Sequence, residues 1–262
     1  MRFAAVVYTE FLKLRRSKAP WITLGVYTFM VGIAGFFMWL MKNPELAESL
    51  GVFGKKAQFA FGGEPIDWAT FLGFIAQMGG IGGLIMSSVI VTYVFGREYA
   101  EGTAKNLLAL PVARRNFVFA KILVSAAWFG CLTLYMLPGT FIVGSLVGIG
   151  TLQVSLFSAA AGRLLALALM SLCCSFLTAW VAVETRGYFA PLGYSIFTLL
   201  LAVIFAATGW GPWVPWSIVG IYSGAAGPEA TLGRGSFLVI AATAAAGILL
   251  TLRHEVVADN LQ

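Results

Sequence analysis

The sequence predicts an all-α integral membrane protein with six transmembrane helices. Only 11% of its 262 residues are charged and 60% are hydrophobic. A soluble domain carries about 25% charged residues, so this chain lacks the polar surface to cover a water-soluble globule. The charges are also clustered: residues 19–41, 68–96, 122–162, 164–183, 187–228 and 235–252 contain no Asp, Glu, Lys or Arg. About 20 apolar residues in a helix cross a ~30 Å hydrocarbon layer, and each run can supply one crossing, with 235–252 near the lower limit. Finally, Lys and Arg alternate in density from one connection to the next. Twelve of the 17 fall on one side, in the clusters Arg2 to Lys18 and Arg97 to Lys121 and at Arg186 and Arg253. Cytoplasmic flanks carry the excess of basic residues, which predicts a multi-pass protein of the cell inner (cytoplasmic) membrane with both termini in the cytoplasm.

Residues 2–18 precede the first crossing and form an amphipathic stretch. Phe3, Val7, Phe11 and Leu14 recur at helical spacing, with Glu10, Lys13 and Arg16 largely off that stripe and Arg15 in the basic run before Lys18. A helix of this kind lies in the headgroup layer rather than crossing it. The basic run serves either as a topology anchor alone or as an anchor and a docking surface for a partner. Spans follow near 20–41 and 70–95.

The loop 96–116 then carries Arg97-Glu98-Tyr99-Ala100-Glu101-Gly102-Thr103, a short apolar segment with Lys105, Leu107, Leu108 and Leu110, then Pro111 and the pair Arg114-Arg115. Gly102 is suited to ending one helix and Thr103 to capping the next, and Pro111 stops the segment. Two helical turns are marginal alone in water, so 104–110 needs a protein surface. That surface is either a partner or the neighbouring helix ends.

The third span, 117–147, is long and contains Pro138-Gly139, a potential kink. Spans four and five lie near 154–183 and 189–208. Between 209 and 233 the chain is rich in Gly and Pro, with Trp210, Trp213 and Trp216 and only Glu229 charged. Tryptophan at this density suits a membrane–water interface, predicting a re-entrant or interfacial segment on the outer side that is either an aromatic belt or an outer gate. The sixth span lies near 235–252. The glycines at 79, 80, 82 and 83, and at 144 and 148, provide small residues for close helix approach. No soluble domain fits between these parts, and 1–262 is expected to be one transmembrane domain.

Several function classes are disfavoured. Cys131, Cys173 and Cys174 all lie inside apolar runs, as buried hydrophobes do. The first apolar run is longer than a signal-peptide core. The sole histidine, His254, has no second His for a zincin-type site, and no phosphate-binding G-x-x-x-x-G-K-[ST] occurs. Glu184, Arg163, Arg186 and Arg234 are expected near span ends, leaving mid-membrane without the ionisable residues of a proton relay. The net charge of +6 is explained by membrane anchoring, with no nucleic-acid partner implied.

The string from Arg97 to Lys121 resembles the permease subunits of ABC-2 type exporters, which share an R-E-x-x-x-G-T segment, a leucine-rich short helix, P-V-S-R-R and a Lys entering the third span. Glu10-Phe11-Leu12-Lys13-Leu14-Arg15-Arg16-Ser17-Lys18 resembles the start of the bacitracin and lantibiotic-immunity export branch. Ala113 departs from the pattern, where a Ser often caps the third span. The resemblance implies that 97–115 is a coupling helix seated on a separate ABC ATP-binding subunit. Two such subunits, carrying ATP and Mg, would pair with two permease chains, identical or related, in the lipid bilayer. This chain itself would bind no cofactor and no metal. The implied function is outward movement of an amphipathic peptide antibiotic, drug or lipid. Alternatives are an ABC-2 permease serving metalloenzyme or envelope assembly, a non-transporting membrane scaffold, and an integral-membrane enzyme, the last disfavoured by the lack of a catalytic cluster.

Overall fold

The structure, a computed structural model, describes residues 3–43, 45, 66–103, 113–227 and 231–257. Its helices are α1 (Phe3–Arg15), α2 (Ala19–Lys42), α3 (Trp68–Ala100), α4 (Arg114–Val147), α5 (Val154–Glu184), α6 (Phe189–Ala206), α7 (Pro215–Ser223) and α8 (Arg234–Val257), with a 3₁₀ turn at Gly211–Trp213. No strand occurs among the described residues. All helices except α1 and α7 are long and apolar enough to cross a membrane, so the chain is a multi-pass membrane protein.

Local chemistry fixes the ends. Asp67 caps α3 by accepting the Thr70 amide at 2.8 Å, and a proline occupies the first turn of α2, where its missing N–H costs nothing. Gly102, Gly148 and Gly224 close α3, α4 and α7 with φ of +68°, +70° and +85°, a left-handed backbone that glycine adopts without a Cβ clash. Ala113 begins α4 with no side-chain cap. That helix continues through Pro138 to Val147.

Cross-helix contacts give the direction of each crossing. α2 and α4 run the same way: Trp128 Nε1 donates to Thr23 Oγ1 at 3.1 Å, Thr28 and Tyr135 hydroxyls meet at 2.9 Å, and Lys42 donates to the Val147 carbonyl at 3.0 Å. α3 runs opposite to α4, with Trp68 over Gly144 at one end and Glu98 paired to Lys121 at the other. α5 lies along α3 in the same direction, Gly79 facing Leu164 and Gly83 facing Ser171. α8 follows α5 so closely that a Cβ at Gly247 would stand 2.4 Å from the Phe176 carbonyl carbon. The second half of α1, the end of α3, the start of α4 and the ends of α5 and α8 therefore gather at one end, here termed the basic end.

Phe71, Ile75, Ile90, Phe95, Phe129 and Met136 fill the centre, each no more than 2% exposed. Trp21, Ile22 and Phe29 of α2, Phe197 and Leu200 of α6 and Leu238 and Leu249 of α8 face outward, the arrangement of side chains that meet lipid tails. The glycines at 79, 80, 82 and 83 all face other parts of the same chain (Leu164, Ser223, Met30 and Ser171), so they serve internal packing.

Several boundaries differ from those the sequence predicts. α3 continues to Ala100, because Glu98 and Arg97 find partners on other helices and stay helical rather than entering a loop. α8 continues to Val257 for the same reason, Glu255 being held by neighbours. Arg163 does not lie near a span end. It sits about two and a half turns into α5, where its guanidinium Nη2 donates to the Tyr222 carbonyl at the end of α7 at 3.0 Å.

Candidate functional site

The basic end is built around one carboxylate. Glu98, on the last full turn of α3, is 8% exposed. Its Oε1 accepts from Lys13 Nζ of α1 at 2.9 Å and its Oε2 pairs with Lys121 Nζ of α4 at 2.9 Å. Lys13 also pairs with Glu10, one turn earlier on α1. Lys121 donates further to the Val94 carbonyl at 2.9 Å and stands 5.5 Å from the Phe95 ring centroid. Two carboxylates and two ammonium groups thus neutralise one another where three helices meet. A buried charge left alone would be severely destabilising, so each member requires the others.

Burial works against the charge on Lys13, but the Glu98 and Glu10 carboxylates outweigh it and raise its pKa above the ordinary lysine value. The ammonium form is therefore the resident one at every physiological pH.

A second layer lies beside this cluster. Arg97 Nε donates to Glu101 Oε1 at 2.9 Å and Nη1 to the Lys13 carbonyl at 3.1 Å, while its guanidinium stands 5.8 Å from the Tyr93 ring centroid. Tyr93 stacks on Tyr188, which begins the turn into α6, at 6.5 Å. Gly102 then turns the chain, and Thr103 N–H donates back to the Glu98 carbonyl at 2.9 Å. Glu10, Lys13, Leu14, Tyr93, Arg97 and Glu98 are among the walls of a cavity of about 160 Å³.

The structure thus brings together Glu10, Lys13, Leu14, Arg97, Glu98, Glu101, Gly102 and Thr103 from the sequence-predicted set. Arg114 joins at the edge, its Nη1 donating to the Glu255 carbonyl at 3.1 Å, while Arg115 is exposed. Lys105, Leu107, Leu108, Leu110 and Pro111 lie outside the described residues. Sequence reasoning quoted Lys121 and Tyr99 within the motif without giving either a site role, and left out Tyr93 and Glu255. For Lys121 a signal existed, since it stands just past a loop opposite an acidic residue just before it.

The face that α1 turns to the bundle is not its apolar stripe. Val6, Glu10 and Leu14 are buried, whereas Phe3 and Phe11 are 42% and 51% exposed, with Val7 half-buried and Arg15 and Arg16 exposed. Ion pairing draws Glu10 inward, and the aromatic side chains turn away from the bundle.

At the opposite end, Trp210 and Trp213 are exposed and Trp216 is half-buried against the Tyr194 ring. The 3₁₀ turn and α7 follow α6. Ser217 donates to the Ala202 carbonyl of α6 at 2.9 Å. Ser223 abuts Gly80 of α3, so α7 crosses from α6 to α3 and α5.

Among the described residues no group of three or more His, Cys, Asp or Glu side chains could hold a metal ion. Six apolar crossings with an ion-paired cluster gathered at one end describe a multi-pass helical membrane protein. The chain belongs to the ABC-2 family of transporter proteins, whose description matches residues 6–206. It is also 30% identical over 173 residues to the bacitracin transport permease protein BCRB of Bacillus licheniformis, a match covering 65% of this chain and 82% of that protein. Both likenesses are to transport permeases of the ABC-2 type.

Proposed function

We propose that this permease moves an amphipathic substrate outward across the cytoplasmic membrane, with the basic end in the cytoplasm and seated on two ATP-binding subunits. The observation that carries the reading is the convergence of α1, α3 and α4 on Glu98, immediately before the segment 101–113. A force applied to that segment has a rigid, charge-paired base on which to act. Leu107, Leu108 and Leu110 would supply the apolar surface that docks on the partner, with Glu101, Lys105, Arg114 and Arg115 around it. ATP and Mg would be held by the partner. A peptide antibiotic is the favoured cargo, on the likeness to a bacitracin transport permease. A second permease chain, identical or related, would complete the pathway. The segment from Trp210 through α7, with Trp213 and Trp216, is suited to an interfacial or re-entrant outer gate.

Purification from native membranes in mild detergent tests this directly. A P-loop ATPase should accompany the chain and be lost when 97–115 is mutated. The double variant Leu107→Asp with Gly102→Pro should still insert but uncouple ATP hydrolysis from export. Recovery of the chain alone under gentle conditions would instead favour a scaffold.

A further inference from the structure

We infer that the end of α8 is a clasp on both stems of the 101–113 segment, which makes Tyr99 and Glu255 positioning residues for the transmission of its movement into the spans; the inference rests on the coupling role proposed above. Tyr99, on the last turn of α3, donates its hydroxyl to Glu255 Oε1 at 2.8 Å. Arg114, the first residue of α4, donates Nη1 to the main-chain carbonyl of the same Glu255 at 3.1 Å. One residue of α8 therefore holds the helix turn before the segment and the helix turn after it, although both are far away in sequence. The next residue back, His254, has Nδ1 2.8 Å from Glu184 Oε2 at the end of α5.

The other end of this linkage is rigid. Gly247 of α8 lies against the backbone of Phe176 and Leu177, where a Cβ would meet main-chain atoms at 2.4 to 2.6 Å. Two backbones in such contact cannot slide past one another without separating. Displacement of the 101–113 stems is thus handed at Glu255 to a unit of two helices. α1 receives it separately through Glu98. Packed side chains, hydrogen bonds and rigid helices in contact are what carries coupling between distant sites.

The test uses the full chain in its complex with the co-purified ATP-binding subunit, with and without a non-hydrolysable ATP analogue, followed by hydrogen exchange. In the unmodified protein the nucleotide should alter exchange in 101–113 and in the last turns of α8. Tyr99→Phe keeps the ring and removes the hydroxyl. It should leave the response of 101–113 in place and weaken that of α8 about fivefold, the contribution of one ordinary hydrogen bond. Glu255→Ala, which retains the carbonyl for Arg114, should do the same, and the double variant should do no more than either alone. An α8 response unchanged in Tyr99→Phe overturns the clasp while leaving the coupling role standing. No nucleotide response in either segment of the unmodified protein overturns the coupling role and the clasp with it. Should Glu255→Ala fail to fold, the conservative Tyr99→Phe decides alone.

Discussion

Glu98 shows how a charge can stay inside a helix bundle. It is 8% exposed, and its two oxygens each meet an ammonium group from a different helix. Lys121→Met would leave Glu98 with one half-exposed partner. Breaking a buried pair from one side costs about 3–5 kcal/mol, whereas replacing the whole pair by apolar groups is often nearly neutral. The thermal midpoint of detergent-purified Lys121→Met should therefore fall sharply, and adding Glu98→Leu should recover part of the loss. Lys13 makes a second, pH-resolved prediction. Its pKa is raised in the fold, so the stability it contributes is fully present below the unfolded value of about 10.4 and lost as pH rises through the folded value. The midpoint difference between Lys13→Met and the unmodified protein should stay constant from neutral to mildly alkaline pH and shrink only in strong alkali. The sequence displayed all four charges but not their pairing. Glu10 stood off the apolar stripe and Lys121 figured only as a basic residue entering the third span, and neither position announced burial. Long-range charge pairing is what buries both.

Among elements, the helices were the legible part, because runs without charge define them whatever they pack against. Their ends were less so: α3 and α8 outlast their apolar runs by one or two turns, held by bonds to distant helices. Packing specificity at the glycines was not legible either. Spacing announced small residues at 79, 80, 82 and 83, yet among the described glycines the closest approach to another helix's backbone is at Gly247, which no such pattern flagged. Gly247→Ala must force α8 off α5, since the obstructing atoms are backbone and cannot rotate away. Overpacking of this kind costs about 1–3 kcal/mol or more, to be read as a lower thermal midpoint. Gly32→Ala in α2 is the control: nothing stands within 4 Å of its Cβ position. There the better helix propensity of alanine should leave stability unchanged or raise it by up to about 1 kcal/mol.

Across the whole molecule, the six crossings followed from the uncharged apolar runs, and the gathering of the helix ends at one basic pole followed from the distribution of Lys and Arg. What composition could not supply was which helices are neighbours. α3 at the centre, α5 beside it and α8 locked to α5 follow from side-chain sizes that meet only in three dimensions. The orientation proposed here has a direct check. Single cysteines at Ser17 and Thr185, placed in a variant lacking Cys131, Cys173 and Cys174, should resist a membrane-impermeant maleimide applied outside intact cells. A cysteine at Ser155, at the opposite end, should react. Labelling in the reverse pattern would invert the protein and remove the cytoplasmic docking surface.

The ion-paired hub also constrains the order of biogenesis. Lys13 is synthesised 85 residues before Glu98, and Lys121 emerges later still. While α2 is being threaded into the bilayer, α1 has only its own Glu10 to balance Lys13, and its aromatic side chains have no bundle to turn away from. It must wait at the membrane surface as a loose end until the α3–α4 hairpin has been inserted. Closure of α1 onto Glu98 is then a late event in assembly, one that reports to the finished fold that its central hairpin has arrived.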